Sequence, residues 1–144
     1  MGANWEDFAV FIPTIFDYGP PHGESYMRES FGVIEACAHA ASEKKAENLV
    51  LLDLRGISSW TDFFLIGSAL SEPQLRAIVS SICKQLRDRL RLQPLSVDGL
   101  PASQWIVIDY GGVVAHLFLK EKREFYAIEN LWRDAPRLER PWLT

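Results

Sequence analysis

Asp109 and His116 stand on either side of a Gly111-Gly112 pair, and a carboxylate beside an imidazole is where hydrolytic chemistry could begin. The apolar runs Trp105–Tyr110 and Val113–Leu119 flank the glycines, which predicts two antiparallel strands closed by a tight turn. Alternation from that turn places the two side chains on one sheet face, close enough in pairing to meet. A hydrolase would also need a nucleophile. Cys37 and Cys83 fall at apolar positions of predicted helices, and no serine sits on a strained elbow. A histidine satisfied by a neighbour, or one offered to a partner, fits the residues better than catalysis.

Nucleotidyl transfer is the second chemistry to weigh. Gly67-Ser68 falls at the end of the apolar run Phe63–Ala69, just before a helical pattern. Enzymes of that kind carry a Gly-Ser loop there and need two carboxylates, two residues apart on the next strand, to hold divalent metal against the triphosphate. Ala77–Cys83 contains no acidic residue, and the later strand pair offers only Asp109. A strand-to-helix turn accounts for Gly67-Ser68 without catalysis.

Arg123, Tyr126, Glu129 and Trp132 form a third set, on a helix predicted over roughly Lys122–Arg133 with Phe125, Ile128, Leu131 and Trp132 turned inward. An arginine, a tyrosine and a carboxylate beside apolar surface suit a binding rim, because Tyr and Arg combine contact area with directed hydrogen bonds. An internal Arg–Glu pair on an amphipathic helix is the plainer alternative. Asp53, Arg55, Trp60 and Asp62 cluster around a turn and read as structural, with Asp62 capping the start of the second strand and Trp60 packing beneath it. His22 and His39 are isolated, so no metal set and no cofactor motif are expected.

These residues must be held by a small set of elements. A helix is predicted over about Tyr26–Ala46, where Val33, Ile34, Cys37, Ala38 and Ala41 mark an apolar stripe. Strands follow at Leu49–Leu54 and Phe63–Ala69, and their short connection favours an antiparallel pair. A second helix starts at the capping box of Ser71 and Gln74, tolerates Pro73 in its first turn, and buries Leu75, Ile78, Val79, Ile82, Leu86 and Leu90. Pro94 and Asp98-Gly99 end the crossover, which is long enough to reach Trp105 in parallel and right-handed. The order α-β-β-α-β-β-α predicts a single α/β domain, a mixed sheet flanked by helices. It is bounded at residues 26–136, between an aromatic extension (1–25) and a tail (137–144). The rings of Trp5, Phe8, Phe11, Phe16 and Tyr18 in the extension are too many for a solvated tail and are expected to dock on the domain or on a partner.

Composition limits the partners. The 144 residues carry a net charge of −4, so there is no overall basic field for nucleic acid. The charge is uneven: residues 1–71 hold ten acidic and four basic side chains, residues 72–144 nine and eleven. Arg76, Lys84, Arg87, Arg89 and Arg91 on the second helix read as a solvated face, or as an auxiliary contact to RNA phosphate. Two cysteines without metal spacing suggest reduced core thiols. No apolar run is long enough to cross a bilayer, and the acidic N-terminus argues against a leader, so a cytoplasmic protein is expected.

Two stretches, SEKKAENLVLLDLRGISSWTDFFLIGSALSEPQLRAI and VDGLPASQWIVIDYGGVVAHLFLKEKREFYAIENLW, resemble the ribosomal silencing factor family, also called the Iojap family. The resemblance covers roughly residues 30–135 and is carried by Asp109-Tyr110-Gly111, His116, Arg123, Tyr126 and Leu131-Trp132 in register. It implies a mixed α/β fold related to nucleotidyltransferases but without their catalytic carboxylates, and hence a protein that is not an enzyme. It further implies docking on the large ribosomal subunit through its fourteenth protein, which blocks small-subunit joining and represses translation. An assembly role for the large subunit, as in organelle relatives, is the alternative, with a degenerate nucleotide-binding enzyme behind it. A homodimer and a peripheral contact to ribosomal RNA are also implied, and no membrane partner. Trp105, Asp109, Tyr110, Gly111, His116, Phe118, Arg123, Tyr126 and Trp132 are the residues expected to carry or shape the docking surface. Gly112 and Ala115 depart from the family pattern, which usually has Asp or Asn and a branched residue there. No match is expected for residues 1–25 or beyond Arg137.

Overall fold

The computed structural model describes residues 23–99 and 104–139, so the expected docking of Trp5, Phe8, Phe11, Phe16 and Tyr18 lies outside the described residues. Helix α1 spans Gly23–Glu43, β1 Glu47–Asp53, β2 Phe63–Ala69, α2 Glu72–Leu90, β3 Ser96–Asp98, β4 Trp105–Asp109, β5 Val113–Leu119 and α3 Lys120–Tyr126. A 3-10 turn at Ile128–Asn130 follows. The strands form one mixed sheet in the order β1-β2-β5-β4-β3. Among the described residues β2 and β5 are parallel neighbours and the other neighbouring strands are antiparallel.

The alternation along the strands divides the core in two. Phe63, Leu65, Ile106, Ile108, Ala115 and Leu117 face α1 and α2 and join Ile34, Cys37, Ile78 and Ile82 in the larger cluster. Phe64, Ile66, Val114 and Phe118 face the other way, where Ile128 and Ala135 complete a smaller cluster with Leu52 and Leu54. Both central strands, β2 and β5, are buried along their whole length, because both faces are covered. Gly67 in β2 makes room for Leu49: a Cβ there would stand 2.8 Å from Leu49 Cδ2 and 3.4 Å from Leu117 Cδ2.

Helix α2 starts as its capping box dictates. Ser71 Oγ accepts from the Gln74 amide at 3.2 Å. The Gln74 side chain accepts from the Leu70 amide and donates to the carbonyls of Lys44 and Lys45, tying the start of α2 to the end of α1. Ser81 Oγ donates to the Ala40 carbonyl between the two helices.

Four expectations need correction. The strand that the crossover reaches in parallel is β3, not β4; its three residues, Ser96–Asp98, are too few to show a period. β4 runs antiparallel to β5 and hence to β2, and β5 is the parallel neighbour of β2. Gly67-Ser68 lies inside β2 rather than in a turn. The last helix stops at Tyr126, because Ala127 adopts a left-handed conformation (φ 45°, ψ 46°). That bend drives Ile128 into the smaller core and leaves Phe125 and Leu131 76% and 77% exposed, against the inward placement expected.

The chain then returns to the sheet. The Asp53 amide donates to the Pro136 carbonyl and the Leu138 amide to the Leu51 carbonyl, so residues 136–138 cover the β1 edge.

Candidate functional site

The face of the sheet opposite α1 and α2 carries most of the residues singled out by sequence. Trp105 pairs with Phe118, Val107 with His116 and Asp109 with Val114, so all six side chains belong to that face. Phe64, one strand over, completes it. The rings make a connected series: Trp105 packs on Phe118 at 5.0 Å and on Tyr126 at 4.7 Å, and Tyr126 meets Phe125 at 5.1 Å. On the other side His116 meets Phe64 at 4.5 Å, and Phe64 contacts Trp132 at 5.7 Å and Trp60 at 6.1 Å. Phe118 is fully buried and Trp132 half-buried. Trp60 is 63% exposed rather than packed under its turn, and Tyr126 is 44% exposed. A row of rings on a rigid sheet, with its ends in solvent, is suited to contact with an apolar partner surface.

The polar residues around the rings are engaged internally. Arg123 is turned inward: Nε and Nη2 donate to the two oxygens of Glu129 at 2.9 and 3.1 Å, and Nη1 donates to Ser68 Oγ and the Asn48 carbonyl, each at 2.8 Å. Asn48, at φ 51°, sits in the β1 irregularity between Glu47 and Val50, so Arg123 pins a bulge as well as the chain after α3. The hydrogen bonds from Arg123 hold the Glu129 carboxyl below its usual range. The internal Arg–Glu pair, the plainer of the two readings, is the arrangement present.

Asp109 and His116 do not pair, which corrects the expected contact. Asp109 Oδ1 accepts from the Gly111 amide at 2.7 Å, closing the hairpin turn in which Gly111 adopts φ +89°. His116 Nδ1 instead accepts from the Trp105 indole N–H at 3.2 Å. Burial pushes the His116 imidazole down to about 4, so the ring is neutral at physiological pH.

Tyr110 lies on the other face, next to Asp109 in sequence but packed against the larger core. Its buried hydroxyl stands near the Cys83 thiol without a hydrogen bond of ordinary geometry, and burial raises the tyrosine well above its usual value. Cys83 is itself pushed up to about 11 by burial, and Cys37 is raised further; both are free thiols. Gly112 is buried, and its carbonyl accepts the Asp62 and Phe63 amides at 2.9 and 3.0 Å, joining the hairpin to the start of β2.

The acidic turn residues are structural. Asp53 takes three hydrogen bonds from Arg55, whose guanidinium also lies over the rings of Phe31 and Phe63. Asp62 accepts from Ser30 Oγ at 3.3 Å. Among the described residues no group of three His, Cys, Asp or Glu could hold a metal ion. Sequence reasoning gave no weight to Phe64, which joins Trp60 and Trp132 to His116; its place in the alternation was the available signal.

The site is thus a series of partly exposed rings on an α/β scaffold, with Arg123 and Glu129 paired beside it. Over residues 28–143 the chain matches the family described as "Ribosomal silencing factor during starvation", and it belongs to that family. The match runs past Arg137, where none was expected. The chain is 37% identical over 107 residues to the ribosomal silencing factor of Halalkalibacterium halodurans, covering 74% of this chain and 91% of that one. It is 33% identical over 92 residues to the mouse protein named "Mitochondrial assembly of ribosomal large subunit protein 1", covering 62% of this chain and 40% of that one. A crystal structure of a Bacillus halodurans protein superposes with a TM-score of 0.66 at 34% identity, covering 76% of this chain and 99% of that one.

Proposed function

We propose that this protein is a non-enzymatic, cytoplasmic silencing factor that docks on the large ribosomal subunit through its fourteenth protein. Bound there, it sterically blocks joining of the small subunit and represses translation. The observation that carries the reading is the ring series from Trp60 to Phe125, an apolar face left partly open in a chain of this family. Trp105, Tyr126, Phe118, Trp132 and His116 make or back the contact surface. Asp109, Gly111 and Arg123 shape it by fixing the hairpin and the segment after α3, and Tyr110 supports it from behind.

The acidic balance of the chain suits a basic ribosomal protein better than bare RNA. The basic residues of α2 supply at most a peripheral contact to ribosomal RNA; Arg76 and Arg87 already lie beside Glu72 and Asp88. A homodimer is compatible with this arrangement. The name of the mouse relative favours a second reading, in which the protein accompanies the large subunit during assembly.

Co-sedimentation separates the two. A silencing factor migrates with purified mature large subunits and lowers their joining with small subunits. Migration with immature particles alone would establish the assembly role instead. Tight magnesium-dependent nucleotide binding in calorimetry would contradict both and revive an enzymatic reading.

A further inference from the structure

One buried polar atom in the docking face, His116 Nε2, has no hydrogen-bond partner among the described residues. The Trp105 indole N–H donates to His116 Nδ1 at 3.2 Å. An indole nitrogen can only donate, so Nδ1 is the unprotonated nitrogen and the neutral ring carries its proton on Nε2. Nε2 is buried and has no hydrogen-bond partner among the described residues, while the residue as a whole is 8% exposed. Its surroundings are rings: Phe64 at 4.5 Å, Trp105 at 6.0 Å and Phe118 at 6.5 Å. Buried donors are almost always paired, and one fixed in direction by a neighbour cannot relieve itself by changing tautomer.

His116 lies one ring beneath the surface. Phe64 beside it contacts the exposed Trp60, and Trp105 contacts the half-exposed Tyr126. Exposed rings of this kind reorient readily, and such a movement at Trp60 or Tyr126 is what a partner's approach to Nε2 requires.

We infer that His116 Nε2–H donates to a carbonyl oxygen of the docked protein partner, with Trp105 as the positioning residue that fixes the tautomer. A neutral peptide or amide carbonyl fits better than phosphate. An anion here would enter apolar surroundings, and Arg123, the nearby cation, is already held by Glu129 and Ser68. This inference rests on the docking reading and names the one directed contact within it.

Two measurements test it. Long-range proton–nitrogen spectra of the full-length chain should show His116 as the Nε2–H tautomer, and Trp105→Phe should release it to a mixture. In co-sedimentation with purified large subunits, His116→Leu should bind about tenfold more weakly than the wild type, while His116→Gln, whose amide keeps a donor, stays within about threefold. If His116→Leu folds poorly, the wild-type Nε2–H resonance decides: it should move on addition of the isolated ribosomal protein. An Nδ1–H tautomer, equal binding by the Leu and Gln variants, or a resonance unchanged in the complex would overturn the inference. The last outcome would mean that a buried water already satisfies the donor. Failure of the wild type to bind large subunits would instead remove the docking reading itself.

Discussion

The guanidinium of Arg123 meets the carboxylate of Glu129 with two parallel hydrogen bonds, at 2.9 and 3.1 Å, across the left-handed bend at Ala127. They stand six positions apart in sequence, so a continuous helix would not place them together. The pair therefore holds the bend that sends Ile128 inward and Phe125 outward.

Removing one partner strands the other in a mostly buried site. Arg123→Ala is expected to destabilise the fold by about 3 kcal/mol in urea denaturation, with β1 around Asn48 losing protection in hydrogen exchange. Arg123→Lys should recover only part of that, because an ammonium cannot reproduce the two-pronged contact. A loss no larger than that of an exposed pair would mean that the bend stands without it.

Tyr110 separates packing from docking. Its hydroxyl is buried with only the Cys83 thiol beside it and no hydrogen bond of ordinary geometry, so Tyr110→Phe should leave stability unchanged or raise it by about 1 kcal/mol, and should leave large-subunit binding intact. Tyr110→Ala should cost about 3 kcal/mol by opening a cavity in the larger core. Weaker binding by a fully folded Tyr110→Phe would place that hydroxyl at the interface.

Acid stability isolates His116. In the native state the imidazole titrates near 4, against an ordinary 6.5, so the unfolded chain takes up a proton first as the pH falls. Its contribution is complete above pH 6.5 and is lost between 6.5 and about 4, amounting to about 3 kcal/mol over that window. Asp53 and Glu129, whose carboxyls are lowered by Arg55 and Arg123, stabilise above the usual carboxylate range and lose that effect at lower pH. His116→Gln should therefore flatten the stability profile between pH 6.5 and 4 while leaving the steeper loss below it. An unchanged slope would show that His116 is not buried neutral.

Gly111 is expected to be sensitive for a backbone reason alone. At φ +89° an alanine is strained although its Cβ would clear Leu95 at 3.6 Å, so Gly111→Ala should cost about 1 kcal/mol. Thermal melts would read this, and a stabilised variant would contradict the turn geometry.

Much of this architecture is legible in the residues. The Ser71–Gln74 cap, the apolar stripe of α2 and the continuous apolar run Val113–Leu119 each name their element directly, because local pattern and tertiary environment agree. What the pattern hides is set by distant contacts. Ala127 is a good helix former, and only the pull of Glu129 toward Arg123 and of Ile128 into the core explains why the helix ends there. Asp109 and His116 look like a pair on the hairpin, yet each has a closer partner: the Gly111 amide in the turn and the Trp105 indole diagonally across. The resemblance implies that Trp105, His116, Phe118 and Tyr126 share a surface; the β4–β5 register puts the first three on one face with Tyr126 against Trp105, whereas Tyr110 follows the alternation to the opposite face.

The docking claim is tested most directly at its outer rings. Phe125→Ala with Tyr126→Ala removes two solvent-exposed side chains that support little of the core. Light scattering of small and large subunits mixed with this protein would then read subunit joining. The account predicts that the wild type suppresses joining and that the double variant, with an unchanged melting temperature, needs about tenfold more protein for the same effect. Equal suppression by the two proteins would contradict it.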